Sequence, residues 1–198
     1  MLFVVTGPSG CGKSTMIHHV MRDLRKVRFS VSHTTRPRRP SESEGKDYYF
    51  VSRAVFERMV ARRQFAEWAA VHGHCYGTSK REIASKSRSG DLMLDIDVQG
   101  ARQMMASGIP VVPVFVLPPR YQDLVRRLRG RGEDKPEVIK RRLRNARAEV
   151  RQAVKFDYIV INDRLDRAVL ELESIILASR CRRDARRAAL RETLDSFK

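Results

Sequence analysis

The chain has 198 residues, long enough for one compact domain with a real core. Its 40 Lys and Arg against 23 Asp and Glu leave a net charge of +17, which favours polyanionic partners such as nucleotides. Three cysteines without a C-x-x-C pair argue against a disulfide scaffold, and no apolar run approaches the ~20 residues of a membrane span.

Residues 2–6 are apolar and β-branched and predict a buried strand, too brief for a signal sequence. A cytoplasmic location is therefore expected. Gly7, Pro8, Ser9, Gly10, Cys11, Gly12, Lys13, Ser14 and Thr15 follow directly. Met16, Ile17, Val20, Met21 and Leu24 then recur at helical spacing over residues 16–25. Strand, glycine-rich turn and a Lys-Ser pair opening a helix are the context of a phosphate-binding P-loop. Glycines let backbone amides converge on an anion, and the helix N-terminus adds its positive dipole end. In that pattern Lys13 reaches the terminal phosphates and the Ser14 hydroxyl ligates Mg²⁺. A glycine-rich turn with an accidental lysine would not fill every position in this context. The stretch implies a nucleoside triphosphate, with ATP and Mg²⁺ as the expected cofactors.

Residues 29–39 begin as a strand and become a basic loop, and 47–51 form a second, aromatic strand. Alternation sends Tyr48 and Tyr49 to opposite faces, so only one can meet a ligand. Residues 52–63 carry Val55, Phe56, Met59 and Val60 between charges, an amphipathic helix with Ser52 as N-cap. Residues 90–100 read as an apolar strand ending in Asp95 and Asp97, whose spacing puts both on one face. Another strand is expected over 114–117, begun after Pro113 because proline is awkward in a central strand. Residues 120–155 are the densest basic block, and 158–163 form a last strand with a polar end. Leu165, Ala168, Val169, Leu172 and Ile176 give a helical stripe, before a basic, helical-looking tail. Strands alternating with helices predict an α/β fold with a parallel central sheet flanked by helices.

Several segments together resemble the guanylate kinase family. They are S-V-S-H-T-T-R from Ser30, E-x-x-G-K-D-Y-Y-F-V from Glu42, F-x-E-W-A from Phe65, the Tyr76-Gly77-Thr78 run, L-D-I-D-x-Q-G from Leu94, L-x-x-R-L from Leu124 and V-x-N-D from Val160. The resemblance covers residues 2–178 or so. It implies a P-loop three-layer fold in a single domain, with a core of about 1–31, 81–125 and 149–180. A mixed α/β GMP-binding insertion over about 32–80 and a helical lid over about 126–148 complete it, leaving 181–198 as the tail.

The activity implied is transfer of the ATP γ-phosphoryl group to GMP. Lys13, Arg131 and Arg142 match the positions that act on the transferring group. The P-loop residues 7–15 and Asn162 match the ATP site, with helix N-cap as the plainer reading of Asn162. Ser14, with Asp95 through water, matches the metal site. Ser32, Arg36, Arg39, Tyr48, Glu67, Tyr76, Thr78 and Asp97 match the GMP site. Two departures stand out. Cys75 replaces an aromatic, and either Arg38 or Arg39 could be the second phosphate clamp; alignment of Glu42 and Gly45 selects Arg39.

Guanine presents N1–H and N2–H₂ donors, which suit carboxylates that can only accept. Small-molecule GMP and ATP are the partners implied, without a membrane. Nucleic acid is not expected, although the tail leaves weak polyanion binding open. The alternatives are a catalytically dead scaffold of the same fold, a sibling kinase acting on a phosphorylated sugar, and an RNA-binding protein suggested by charge alone.

Overall fold

A computed structural model describes residues 1–71, 73–130 and 136–198. Arg131 lies outside the described residues. In chain order the elements are β1 Leu2–Thr6, α1 Lys13–Asp23, β2 Val27–Phe29, β3 Ser32–Thr34 and β4 Tyr48–Phe50. Then come α2 Arg53–Ala61, β5 Phe65–Val71, β6 His74–Ser79, α3 Lys80–Lys86, β7 Asp91–Asp95 and α4 Val98–Ala106. Finally come β8 Val112–Leu117, α5 Tyr121–Gly130, α6 Pro136–Val150, β9 Tyr158–Ile161, α7 Leu165–Arg180 and α8 Arg187–Asp195.

Five strands form a parallel sheet in the order β2-β7-β1-β8-β9. Parallel strands are buried on both faces, which is why β1 is apolar from Leu2 to Val5 and buried along its whole length. Phe3 and Val5 point to one side and pack with Met16, Ile17 and Val20 of α1 and Leu172 and Ile176 of α7. Leu2 and Val4 point to the other side, against Val98, Ala101 and Met104 of α4. The stripe expected on α7 is the buried one. A smaller cluster of Leu124, Leu128, Leu143 and Ala146 joins α5 to α6.

A second, four-stranded sheet in the order β4-β3-β6-β5 is drawn wholly from residues 32–79. The expected strand over 29–39 is therefore two strands, with β2 in the parallel sheet and β3 in this one. Ser52 caps α2 as expected, accepting from the Val55 amide at 3.3 Å.

Three expectations need correction. First, α1 starts at Lys13, as the Lys-Ser pair implies, but ends at Asp23, short of residue 25, because Leu24 turns extended and packs its side chain on the core. Second, Pro113 lies inside β8, aligned beside Val4 of β1. Pairing with β9 starts only at Val114, so proline occupies a position with a strand on one side alone. Third, β7 stops at Asp95, and Asp97 is the N-cap of α4, its carboxylate accepting from the Gly100 amide at 2.9 Å. Helix capping, not strand alternation, aims Asp97. The tail forms α8, which has no buried residue.

Candidate active site

Strand β1 delivers the chain into the glycine loop, and α1 starts at Lys13 with Gly12 in the left-handed region at φ +98°. A Cβ at Gly12 would also collide with the Asn162 side-chain amide. Lys13 Nζ donates to the Gly7 carbonyl at 2.8 Å and lies 4.0 Å from Asp95 Oδ1. Ser14 Oγ donates to Asp95 Oδ2 at 2.9 Å. The strand end of β7 and the first turn of α1 thus bring a hydroxyl, a carboxylate and an ammonium together. Arg142 of α6 reaches back over the loop, its Nη1 3.4 Å from Ser9 Oγ.

The underside of the loop is tied down by two residues. Asn162, 4% exposed, donates from Nδ2 to the Cys11 carbonyl at 2.8 Å. Arg127 donates to that carbonyl at 3.1 Å and to the Asn162 carbonyl at 2.8 Å. Asn162 therefore does not cap α7. Its amide holds the loop from beneath. Burial pushes the Cys11 thiol up, outweighing the nearby Lys13 charge, so it stays a core group. Pro8 is buried and Thr15 lies exposed on α1, and neither lines the cleft between the loop and the four-stranded sheet.

One cleft of about 370 Å³ runs from the loop to the four-stranded sheet. Its walls include Gly7, Ser9, Gly10, Gly12, Lys13, Ser14, Asp95 and Arg142, together with Ser32, Arg36, Arg39, Tyr48, Tyr76, Glu67 and Asp97. Arg38 is not on the wall; it is exposed and donates to the Glu42 carbonyl at 3.0 Å. Glu42 organises the basic loop. It accepts from the Arg36 guanidinium at 2.6 Å and from the Arg39 amide at 2.8 Å. Burial works against its ionisation, but these donors outweigh burial and hold the carboxyl below its usual range. Arg36 is also braced against the rings of Tyr48 and Phe50, 5.6 and 6.0 Å from their centroids. Burial pushes the Tyr48 hydroxyl up, so it remains a donor at neutral pH. Tyr49 points the other way and packs its ring, tilted by 37°, against His33 at 4.8 Å, as the alternation requires.

Glu67 is 3% exposed and accepts from the Thr78 amide at 2.8 Å. Among the described residues no lysine or arginine forms an ion pair with it or with Asp97. Burial therefore pushes Glu67 up to about 7, with Asp97 adding to the effect. Asp97 is likewise raised by burial, against the pull of the Gly100 amide. Buried Glu67 and half-buried Asp97, neither ion-paired among the described residues, leave acceptor capacity for an N–H-bearing ligand. Thr78 does not reach the wall. It is fully buried, its hydroxyl 3.2 Å from that of Ser32, which does.

The shift has a consequence in pH. A ligand donating to Glu67 needs it ionised, so binding should weaken below about 7, by roughly tenfold per pH unit well below that point. The ligand's KM measured from pH 8.5 to 5.5 checks this, and a flat profile contradicts it. Stability moves the opposite way. The folded state keeps a proton between the usual 4.5 and about 7 that the unfolded chain releases. The contribution of this carboxyl to stability therefore declines as pH rises through that window.

Two wall or loop residues were given no role by the sequence. Arg127 is the arginine of the L-x-x-R-L segment from Leu124, but that segment alone does not show that it reaches the Cys11 carbonyl. Glu149 of α6 lines the cleft with its carboxyl raised by burial, opposed by Lys13, yet reads as one acid in a solvated helix.

The guanylate kinase family model matches residues 1–179. A protein named guanylate kinase from Geobacter sulfurreducens is 48% identical over 183 residues, covering 92% of this chain and 90% of its own length. One of the same name from Syntrophotalea carbinolica is 50% identical, covering 92% and 87%. The crystal structure of guanylate kinase from Anaplasma phagocytophilum superposes with a TM-score of 0.77 at 29% identity, over 99% of this chain and 94% of that one.

Proposed function

The chain belongs to the guanylate kinase family, and from that premise we propose how one cleft divides the work of an ATP:GMP phosphotransferase. The reaction moves the γ-phosphoryl group of ATP to GMP, giving ADP and GDP. The observation that carries the reading is that Lys13, Ser14 and Asp95 open into the same cleft as Arg36, Arg39, Glu67 and Asp97. Two anionic nucleotides can then meet phosphate to phosphate.

The loop amides and Lys13 hold the triphosphate, with residues 7–15 forming the cradle. Asn162 and Arg127 hold the cradle's shape from below. Ser14 and Asp95 offer the hard oxygen donors that suit Mg²⁺, which prefers one or two carboxylates, waters and phosphate oxygens. When bound, the ion neutralises charge on the transferring phosphates. Arg142, and by resemblance Arg131, spread their planar guanidinium charge over the same group.

Arg36, Arg39, Tyr48 and Tyr76 clamp the GMP phosphate, with Glu42 fixing the arginine loop. A phosphate monoester is largely dianionic at neutral pH, so its oxygen attacks without a general base. Glu67 and Asp97 accept from guanine N1–H and N2–H₂. The Ser32 hydroxyl faces the same cleft and, backed by Thr78, serves the remaining polar edge. Closing the lid excludes water from the reacting phosphates.

We place this work in the cytoplasm, a reading supported by the free cysteines 11, 75 and 181. Among the described residues no helix is long and apolar enough to cross a membrane. An intact Lys13, Ser14 and Asp95 set speaks against a dead scaffold. A coupled ADP-release assay with GMP, AMP, CMP and UMP tests the base reading. Turnover of GMP should exceed the others by about 10⁴-fold in kcat/KM. Equal turnover of all four would end it.

A further inference from the structure

Strand β5 is the last strand of its sheet, so its outer edge carries backbone groups with no strand partner. At Trp68 that edge is taken by a side chain of α4. The Trp68 amide donates to Gln103 Oε1 at 3.1 Å, and Gln103 Nε2 donates to the Trp68 carbonyl at 2.7 Å. The Gln103 amide thus supplies the donor and acceptor a neighbouring strand would. Trp68 directly follows Glu67.

One turn earlier on α4, Gly100 faces Glu67 itself. A Cβ there would overlap Glu67 Oε2 and stand 3.0 Å from Cδ. The Gly100 backbone is helical and its φ is not positive, so the chain conformation does not demand glycine. Alanine is the better helix former at such a site. What glycine provides is room for the carboxylate, while its amide fixes Asp97 at 2.9 Å. The register of β5 also shifts between Phe65 and Glu67, an irregularity of the kind that re-aims a side chain.

We infer that the α4 face bearing Gly100 and Gln103 is a positioning device for guanine selection. Gln103 sets the height of β5 on the core, and Gly100 lets the Glu67 carboxylate settle beside Asp97. The inference rests on the reading of Glu67 as a guanine acceptor. Gln103 is exposed and is not a wall of the cleft, so it acts through Glu67.

Inosine monophosphate probes this directly, because it keeps N1–H and O6 but lacks the 2-amino group. Gln103→Ala and Gly100→Ala in the full chain should each lower the GMP-over-IMP preference in kcat/KM by about tenfold. The loss should lie in the KM for GMP, with the KM for ATP within about twofold. A merely structural role would depress turnover of both monophosphates alike and leave their ratio unmoved. Glu67→Gln serves as the control. If it erases the preference while both α4 variants keep it, the positioning inference is overturned. If Glu67→Gln itself keeps the preference, the guanine reading fails instead. Should Gly100→Ala not fold, the exposed Gln103→Ala decides alone.

Discussion

Lys13→Ala is expected to lower kcat by about 10³-fold, comparable to removing a principal charge donor from a preorganised transition-state site. The ammonium donates to the Gly7 carbonyl and stands near Asp95, at the mouth of the loop. The proposed monophosphate clamp is organised by Glu42 through Arg36 and the Arg39 amide, so the KM for GMP should change little. Thermal stability should also hold, since the loop keeps Asn162 and Arg127 beneath Cys11. Initial rates of ADP release at saturating ATP and GMP check this. A kcat within tenfold of the unaltered enzyme would remove Lys13 from the chemistry.

Glu67→Gln should reduce kcat/KM for GMP by about 10³-fold, the middle of the range for two charge-assisted hydrogen bonds at roughly 1.5–3 kcal/mol each. The geometry makes this isosteric change severe. The Thr78 amide, 2.8 Å from Glu67 Oε1, needs an acceptor. The amide oxygen of the new side chain meets that need, and its NH₂ group then faces the cleft. Guanine would bring donors against donors. Folding should not suffer, because a buried carboxyl raised to about 7 by burial gives up its charge with little loss to the native state. The kinetic constants for GMP, with the melting temperature as control, check both halves. A loss below tenfold would mean that the purine lies elsewhere.

The periodic parts of the fold were readable from sequence because burial writes them into residue spacing. The apolar run of β1, the α7 stripe through Leu172 and the Ser52 cap each follow from one local rule. The parts that were not readable depend on contacts distant in sequence. Arg127 and Asn162 are 35 residues apart and converge on Cys11, which neither neighbours in the chain. Gln103 reaches Trp68 across 35 residues, and no local pattern distinguishes it from an ordinary solvated glutamine.

Asp97 illustrates a milder failure. Alternation along the strand put it on the same strand face as Asp95, whereas it reaches the cleft through capping of α4. Pro113 shows how a sound rule depends on topology: the bar on proline in a central strand lapses where the neighbouring strand has not yet begun. Of the two candidates for a second arginine clamp, only Arg39 lines the cleft. Arg38 and Arg39 are adjacent, and only the turn held by Glu42 sends one into the cleft.

A crystal structure with GMP bound tests the central claim most directly. The guanine N1 and N2 atoms should lie at about 2.7–3.2 Å from the carboxylates of Glu67 and Asp97, with the phosphate between Arg36 and Arg39. A purine seated away from those two acids would contradict it.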